Sequence, residues 1–237
     1  MTRDPWACEV RVVGFDGDDT LWHSEDAFAR AQERLVDLLA AHATGDDVLA
    51  RLQAVERRNL ELFGYGIKGF TLSMIETAIE VSDGTVPVAD VERLLAMGKE
   101  MLARPVDLLP GVSETLKLVA GRYRIVLVTK GDLLNQESKI ARSGLGEAFE
   151  SISILSEKSV DSYSRVLRRL EISPEQFLMV GNSEASDAQP VLALGGWAAL
   201  VRYPLTSLHE LGRTADRTSS RLRVLDRIDE LPGLIGS

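Results

Sequence analysis

Residues 12–22, Val-Val-Gly-Phe-Asp-Gly-Asp-Asp-Thr-Leu-Trp, place three carboxylates within four positions at the end of an apolar run: Asp16, Asp18 and Asp19. Like charges crowded at a strand end repel one another, so such a cluster points to chemistry that uses it. Two carboxylates two residues apart, just past a strand, suit a nucleophile and an acid/base partner. A strand that turns at once aims both side chains into one cleft. A carboxylate attacking a phosphoryl group forms an acyl phosphate that water then hydrolyses. The substrate of such an attack is itself negative, so a divalent cation and a fixed lysine are expected to neutralise it. A threonine at the end of a neighbouring strand would donate to a phosphoryl oxygen. Downstream, the chain supplies Thr129, Lys158 and an oxygen-rich stretch, Asn182-Ser183-Glu184 with Asp187. Mg²⁺ prefers such hard oxygen ligands and retains waters.

These residues need a scaffold that gathers distant strand ends. Glu9 to Phe15 reads as a buried strand. Four amphipathic helices follow, the first from a cap at Ser24 through Leu38 and the others over 46–62, 70–81 and 88–102. Ser24 is placed to cap the first. Phe28, Ala31, Leu35 and Leu38 line it; Val48, Leu52 and Val55 line the second; Leu72, Ile75 and Ile79 the third; Val91, Leu94, Leu95 and Met101 the fourth. From Pro105, Pro110 and Gly111 onward the pattern changes to alternating helix and strand. Strands are expected at 123–129, 151–155, 177–181, 197–201 and 222–225, with helices at 112–120, 133–143, 159–170 and 190–194. Alternation of this kind predicts an α/β fold, a Rossmann-like doubly wound parallel sheet with helices on both faces. Residues 24–104 read as a helical module inserted into a core formed by 1–23 and 105–237. Ligands of such sheets bind beyond the carboxyl ends of the strands. That rule gathers Asp16–Thr20, Thr129–Lys130, Lys158 and Gly181–Asp187.

The ordered set resembles the haloacid dehalogenase-like (HAD) hydrolase superfamily. Its first motif, Asp-x-Asp-x-Thr, is met by Asp16-Gly17-Asp18-Asp19-Thr20. The second, Thr or Ser ending a strand, is met by Thr129. The third, a lysine before a helix, is met by Lys158, and the fourth by Gly181-Asn182-Ser183-Glu184-Ala185-Ser186-Asp187. The inserted helices resemble the family's C1-type cap domain. The resemblance implies a Mg²⁺-dependent phosphatase acting on a small phosphorylated metabolite through an aspartyl-phosphate. Asp16 is then the nucleophile and Asp18 the general acid/base. Thr129 and Lys158 hold phosphoryl oxygens, with Lys130 beside the cleft. The Asp16 carboxylate and the Asp18 backbone carbonyl bind the metal, completed by Asn182 or Asp187. The family's dehalogenases lack the second aspartate, so Asp18 marks phosphoryl chemistry. A phosphomutase of the same superfamily shares these motifs, and a non-catalytic binding or regulatory protein is the third reading.

Asn182 stands where many relatives carry Asp, which removes one charge from the metal site. Asp19 is expected to cap or to face solvent, Thr20 to shape the turn, Trp22 to pack, and Glu184 to sit in an outer shell or in solvent. His23 carries no specific expectation. The glycine-rich Gly64–Phe70 segment reads as a tight loop from which Tyr65 and Lys68 would reach a substrate. Arg213, Arg217, Arg221 and Arg223 read as a solvated face. With 237 residues, 45% hydrophobic and 27% charged, the composition is that of a globular chain. A net charge of −9 argues against a general nucleic-acid binder. The single cysteine, Cys8, reads as a packing residue in a reducing compartment. No apolar run approaches a membrane span, and Met1–Trp6 lacks a signal-peptide core. A cytoplasmic protein, monomer or homodimer, is expected.

Overall fold

The computed structural model describes residues 9–205 and 219–236. Cys8, Arg213 and Arg217 lie outside the described residues. The chain divides into two compact units: Met1–His23, Val106–Lys130 and Gln136–Ser237 form one, Ser24–Pro105 and Gly131–Asn135 the other. Gly131–Asn135, read as core from sequence, groups with the helical unit, and within that unit Asp132 accepts from Lys68 Nζ at 2.9 Å.

The first unit is built on a parallel sheet. Its strands are β1 (Val12–Phe15), β2 (Arg124–Lys130), β3 (Ser151–Leu155), β4 (Phe177–Gly181), β5 (Trp197–Val201) and β6 (Leu222–Leu225), in the order β3-β2-β1-β4-β5-β6. Strand order reverses at β1, which pairs with β2 on one side and β4 on the other. A sheet of this kind opens a crevice at the carboxyl ends of the strands flanking the reversal. Side chains alternate across it, as a two-residue period requires. Val13, Phe15, Leu127, Leu178 and Val180 enter one buried cluster; Val12, Val126, Val128, Phe177 and Met179 enter another. Gly14 leaves room on the second face, where a Cβ would sit 2.5 Å from the Phe177 ring. The first cluster is covered by α5 (Val112–Ala120) through Val112, Leu116 and Val119, and by Ile140 of α6 (Leu133–Ser143). The second is covered by α7 (Val160–Leu170), through Tyr163, Val166, Leu167 and Leu170, and by Val191 of α8 (Gln189–Leu194). A short helix, α9 (Leu231–Ile235), closes the described chain.

The second unit packs α1 (Glu25–Leu39), α2 (Gly45–Phe63), α3 (Ile67–Val81) and α4 (Val88–Ala103). Leu35, Leu39, Val48, Leu52, Phe70, Met74 and Leu94 lead its core. Asp26 in the first turn of α1 accepts two bonds from Arg104, just past α4, at 2.7 and 2.8 Å, which ties the ends of the module together. Ser24 precedes α1 without a side-chain capping bond, whereas Thr44 caps α2 by accepting from the Asp47 N–H. The face expected for α3 is corrected: Leu72 and Ile79 are exposed, and Phe70, Met74 and Ala78 are buried. Leu95 of α4 is likewise exposed, Met97 taking its place in the core. Both helices offer two apolar stripes, and tertiary packing chooses between them.

Candidate active site

Asp16 is the first residue past β1, and its N–H donates to the Val180 carbonyl at 2.9 Å, extending the β1–β4 ladder by one rung. Its Oδ1 accepts from Lys158 Nζ at 2.6 Å. The same ammonium donates to Asp187 Oδ1, also at 2.6 Å. Lys158 is 4% exposed and Asp187 1%. It sits between β3 and α7, where Ser159 and Ser162 form a capping box that fixes the start of the helix. Asp187 lies in one widened helical turn, Glu184–Ala188, and its Oδ2 accepts the Ser183 N–H at 3.0 Å. Gly181 makes this possible, since a Cβ there would meet Asp187 Oδ2 at 2.1 Å.

One lysine thus faces two buried carboxylates. Burial pushes the Asp16 carboxyl up to about 7, against the pull of Lys158 and with the push of Asp187. Burial opposes the charge on Lys158 too, but Asp16 and Asp187 outweigh it and hold the ammonium well above its usual range.

Asp18 has separate partners. Trp22 Nε1 donates to Oδ1 at 2.7 Å and Gln136 Nε2 to Oδ2 at 2.9 Å. Lys139 Nζ reaches both oxygens, at 2.5 and 2.7 Å. Burial alone would raise the Asp18 carboxyl, yet the Lys139 ammonium and these hydrogen bonds hold it below the usual range. Gln136 and Lys139 stand three apart on α6, so they share one helical face. Sequence reasoning missed both, because no local pattern ties them to Asp18. Trp22 is fully buried in the core, as its packing role requires, and also spends its indole N–H on Asp18. Gly17 accommodates it: a Cβ there would lie 2.5 Å from the indole.

Thr129 is the last residue but one of β2, is 1% exposed, and its Oγ1 has no hydrogen-bond partner among the described residues. Thr20 Oγ1 donates to Asn182 Oδ1 at 3.4 Å. Asp19 is not solvent-facing: it is buried, its φ is +59°, and its N–H donates to the Trp22 carbonyl at 2.7 Å. Asp tolerates this left-handed conformation better than most residues. His23 Nδ1 lies 2.8 Å from the Tyr203 hydroxyl. Lys130 Nζ donates to Ser186 Oγ at 2.8 Å, and Glu157 lies 4.0 Å away.

Oxygens that could hold a divalent cation are the Asp16 carboxylate, the Asp18 carbonyl and Asn182 Oδ1. Asp16 Oδ2 accepts no hydrogen bond from a described residue, whereas both Asp187 oxygens are engaged. No group of three or more His, Cys, Asp or Glu suited to a metal occurs among the described residues. Carboxylate, carbonyl and amide oxygens such as those of Asp16, Asp18 and Asn182 are the donor types a hard cation takes.

In the helical unit, Lys68 is half exposed and paired with Asp132. The expected 64–70 loop shrinks to Gly64–Gly66, because α3 begins at Ile67. Tyr65 is partly buried there. Arg221 is no solvated-face residue: its guanidinium donates to the Gly195 carbonyl and lies 4.8 Å over the Trp197 ring. Among the described residues no helix is long and apolar enough to cross a membrane.

A family model for haloacid dehalogenase-like hydrolases matches residues 10–195. A haloacid dehalogenase-like family hydrolase from Xanthomonas campestris, of known crystal structure, is 41% identical over 96% of this chain and 91% of its own, with a TM-score of 0.87. The magnesium-bound HAD-hydrolase YfnB of Bacillus subtilis is 16% identical over 97% of this chain and 100% of its own, with a TM-score of 0.65. The L-2-haloacid dehalogenase of Xanthobacter autotrophicus is 17% identical, with coverage of 96% and 99% and a TM-score of 0.66. These last two likenesses show a shared fold. No curated protein sequence matches. The family model spans most of the chain and the Xanthomonas relative nearly all of it; the protein belongs to the haloacid dehalogenase-like hydrolases.

Proposed function

We propose that the protein is a Mg²⁺-dependent phosphatase that hydrolyses a small phosphomonoester through an aspartyl-phosphate on Asp16. The observation that carries this reading is Asp18, a carboxylate two residues past the nucleophile and gripped by three side chains. Displacing a halide needs no proton donor for the leaving group; displacing an alkoxide does. The buried, unpaired Thr129 hydroxyl supports the same reading, because an unsatisfied donor in a dry site is costly unless a ligand uses it.

Asp16 attacks phosphorus and the ester oxygen departs, taking a proton from protonated Asp18. The Asp18 carboxylate then takes a proton from the water that attacks the aspartyl-phosphate. Phosphate leaves, Asp16 is regenerated, and Asp18 again holds the proton it will donate. Lys158 pins Asp16 and compensates phosphoryl charge, and Thr129 donates to a phosphoryl oxygen. Asp16, the Asp18 carbonyl and Asn182 would hold Mg²⁺, which when bound offsets the repulsion between nucleophile and substrate. Asp187 is assigned to holding Lys158 rather than to the metal, since both its oxygens are committed. Tyr65 and Lys68 are proposed as substrate contacts of the helical unit, Lys68 exchanging Asp132 for a ligand anion.

The test is phosphate release from a panel of metabolite phosphomonoesters with Mg²⁺, beside a panel of 2-haloacids. Phosphate release that vanishes in Asp16→Asn supports the reading. Halide release without phosphate release from folded protein overturns it.

A further inference from the structure

We propose that Lys139 and Gln136 are positioning residues that lock the Asp18 carboxylate in one rotamer, with Trp22 as the third point of the clamp. The proposal rests on the phosphatase reading for what Asp18 does, but not for how it is held. Its basis is geometric. A short aspartate side chain next to a strand end has several rotamers, and a proton shuttle works only from the one that reaches both leaving group and water. Here each oxygen has two donors: Trp22 and Lys139 on Oδ1, Gln136 and Lys139 on Oδ2.

The donors are themselves fixed. The Trp22 side chain is fully buried, and its backbone is bridged to Leu108. Gln136 is 2% exposed, and its amide also donates to the Lys130 carbonyl at 2.7 Å, anchoring it to the end of β2. The Lys139 side chain is 12% exposed, and its ion pair is with Asp18. A lysine that only solubilised the surface would project its ammonium into water. Burying an ammonium is costly unless it is closely paired, and Lys139 Nζ meets that condition by reaching both Asp18 oxygens. The clamp is local to one unit of the chain, every member lying within Met1–His23 or Gln136–Ser237.

The test is Lys139→Met, with Lys139→Arg beside it, assayed on an activated aryl phosphate and on an alkyl phosphate. The aryl leaving group departs without a proton, so formation of the aspartyl-phosphate is expected to stay within about threefold of the parent. Its hydrolysis still needs Asp18, so turnover is expected to fall at least tenfold and acid-quenched phosphoenzyme to accumulate. On the alkyl phosphate both steps slow and no phosphoenzyme builds up. Lys139→Arg is expected to recover part of the turnover. Equal loss in both steps on both substrates, or a rise in KM with kcat unchanged, overturns the proposal.

A second readout needs no substrate. The Trp22 indole N–H resonance, assigned by its loss in Trp22→Phe, should move in Lys139→Met. That of Trp197, whose N–H donates to the Glu175 carbonyl, should stay. An unmoved Trp22 signal also overturns the clamp. A parent protein that releases no phosphate overturns the phosphatase reading instead, and the indole shift distinguishes the two failures.

Discussion

Thr129→Val separates what the molecule needs for stability from what it needs for chemistry. Thr129 Oγ1 is buried and unpaired among the described residues, and the side chain is 1% exposed at the end of β2. Leaving such a hydroxyl without a partner costs about 1–3 kcal/mol. Valine keeps the β-branched shape that suits the strand and removes only the polar atom. The variant is therefore expected to gain ~1–2 kcal/mol in the ligand-free state. For a chain of this size each kcal/mol raises Tm by about 2–4 °C. Turnover should move the other way. Removing one preorganised donor to a developing phosphoryl charge costs about 10²–10³ in kcat. The assays are urea unfolding followed by tryptophan fluorescence, and phosphate release with Mg²⁺. A variant less stable than the parent would refute the claim that the hydroxyl is unsatisfied. One with unchanged kcat would refute its catalytic role.

Three further outcomes follow from the same site. Asp16 is raised from 3.8 to about 7 by burial, so its contribution to stability is present at low pH and lost as pH rises through about 7. With metal chelated, the parent should lose roughly 2 kcal/mol between pH 5 and pH 8 relative to Asp16→Asn; a pH-independent difference in unfolding free energy would sink this. Asn182→Asp adds a carboxylate to the proposed metal oxygens and should tighten Mg²⁺ about tenfold by calorimetry, whereas unchanged affinity would remove Asn182 from the ligand set. Gly181→Ala drives a methyl to 2.1 Å from Asp187 Oδ2. Displacing that buried carboxylate from Lys158 should cost about 3–5 kcal/mol, and a fully stable variant would show that Asp187 has room to move.

Much of the sheet was legible because its signals are short-range. The β-branched run Ile125–Val128, the apolar Phe177–Val180 and the Gly144 stop after α6 each define an element without help from the rest of the chain. Strand ends could then be gathered by topology, which brought Asp16, Lys158 and Asp187 together before any coordinates. Three things were not legible. The buried faces of α3 and α4 depend on neighbours, because both helices carry apolar residues on more than one side. The start of α3 was hidden by Gly64, Gly66 and Gly69, the last of which lies inside the helix, where a Cβ would crowd the Gly64 carbonyl at 2.9 Å. The partners of Asp18 were hidden by distance: Gln136 and Lys139 stand 118 and 121 positions away. No local pattern pairs a helix lysine with an acid that far back.

The partners also explain why the three carboxylates of the site, Asp16, Asp18 and Asp187, take different parts. Asp18 has a lysine of its own, which with Trp22 and Gln136 fixes both of its carboxyl oxygens. Asp187 shares Lys158, and its second oxygen is satisfied by a backbone N–H. Asp16 receives only the other half of Lys158, and its carboxyl is raised first by burial and then by the nearby Asp187, against the pull of that lysine. A fully compensated carboxylate is a poor nucleophile, because its lone pairs are spent on donors. An uncompensated one beside the Asp18 carbonyl and Asn182 Oδ1 would favour a bound cation, which would offset the repulsion of an anionic substrate. Division of labour among the acids therefore follows from how two lysines are distributed among three carboxylates, and moving either lysine should reassign the roles.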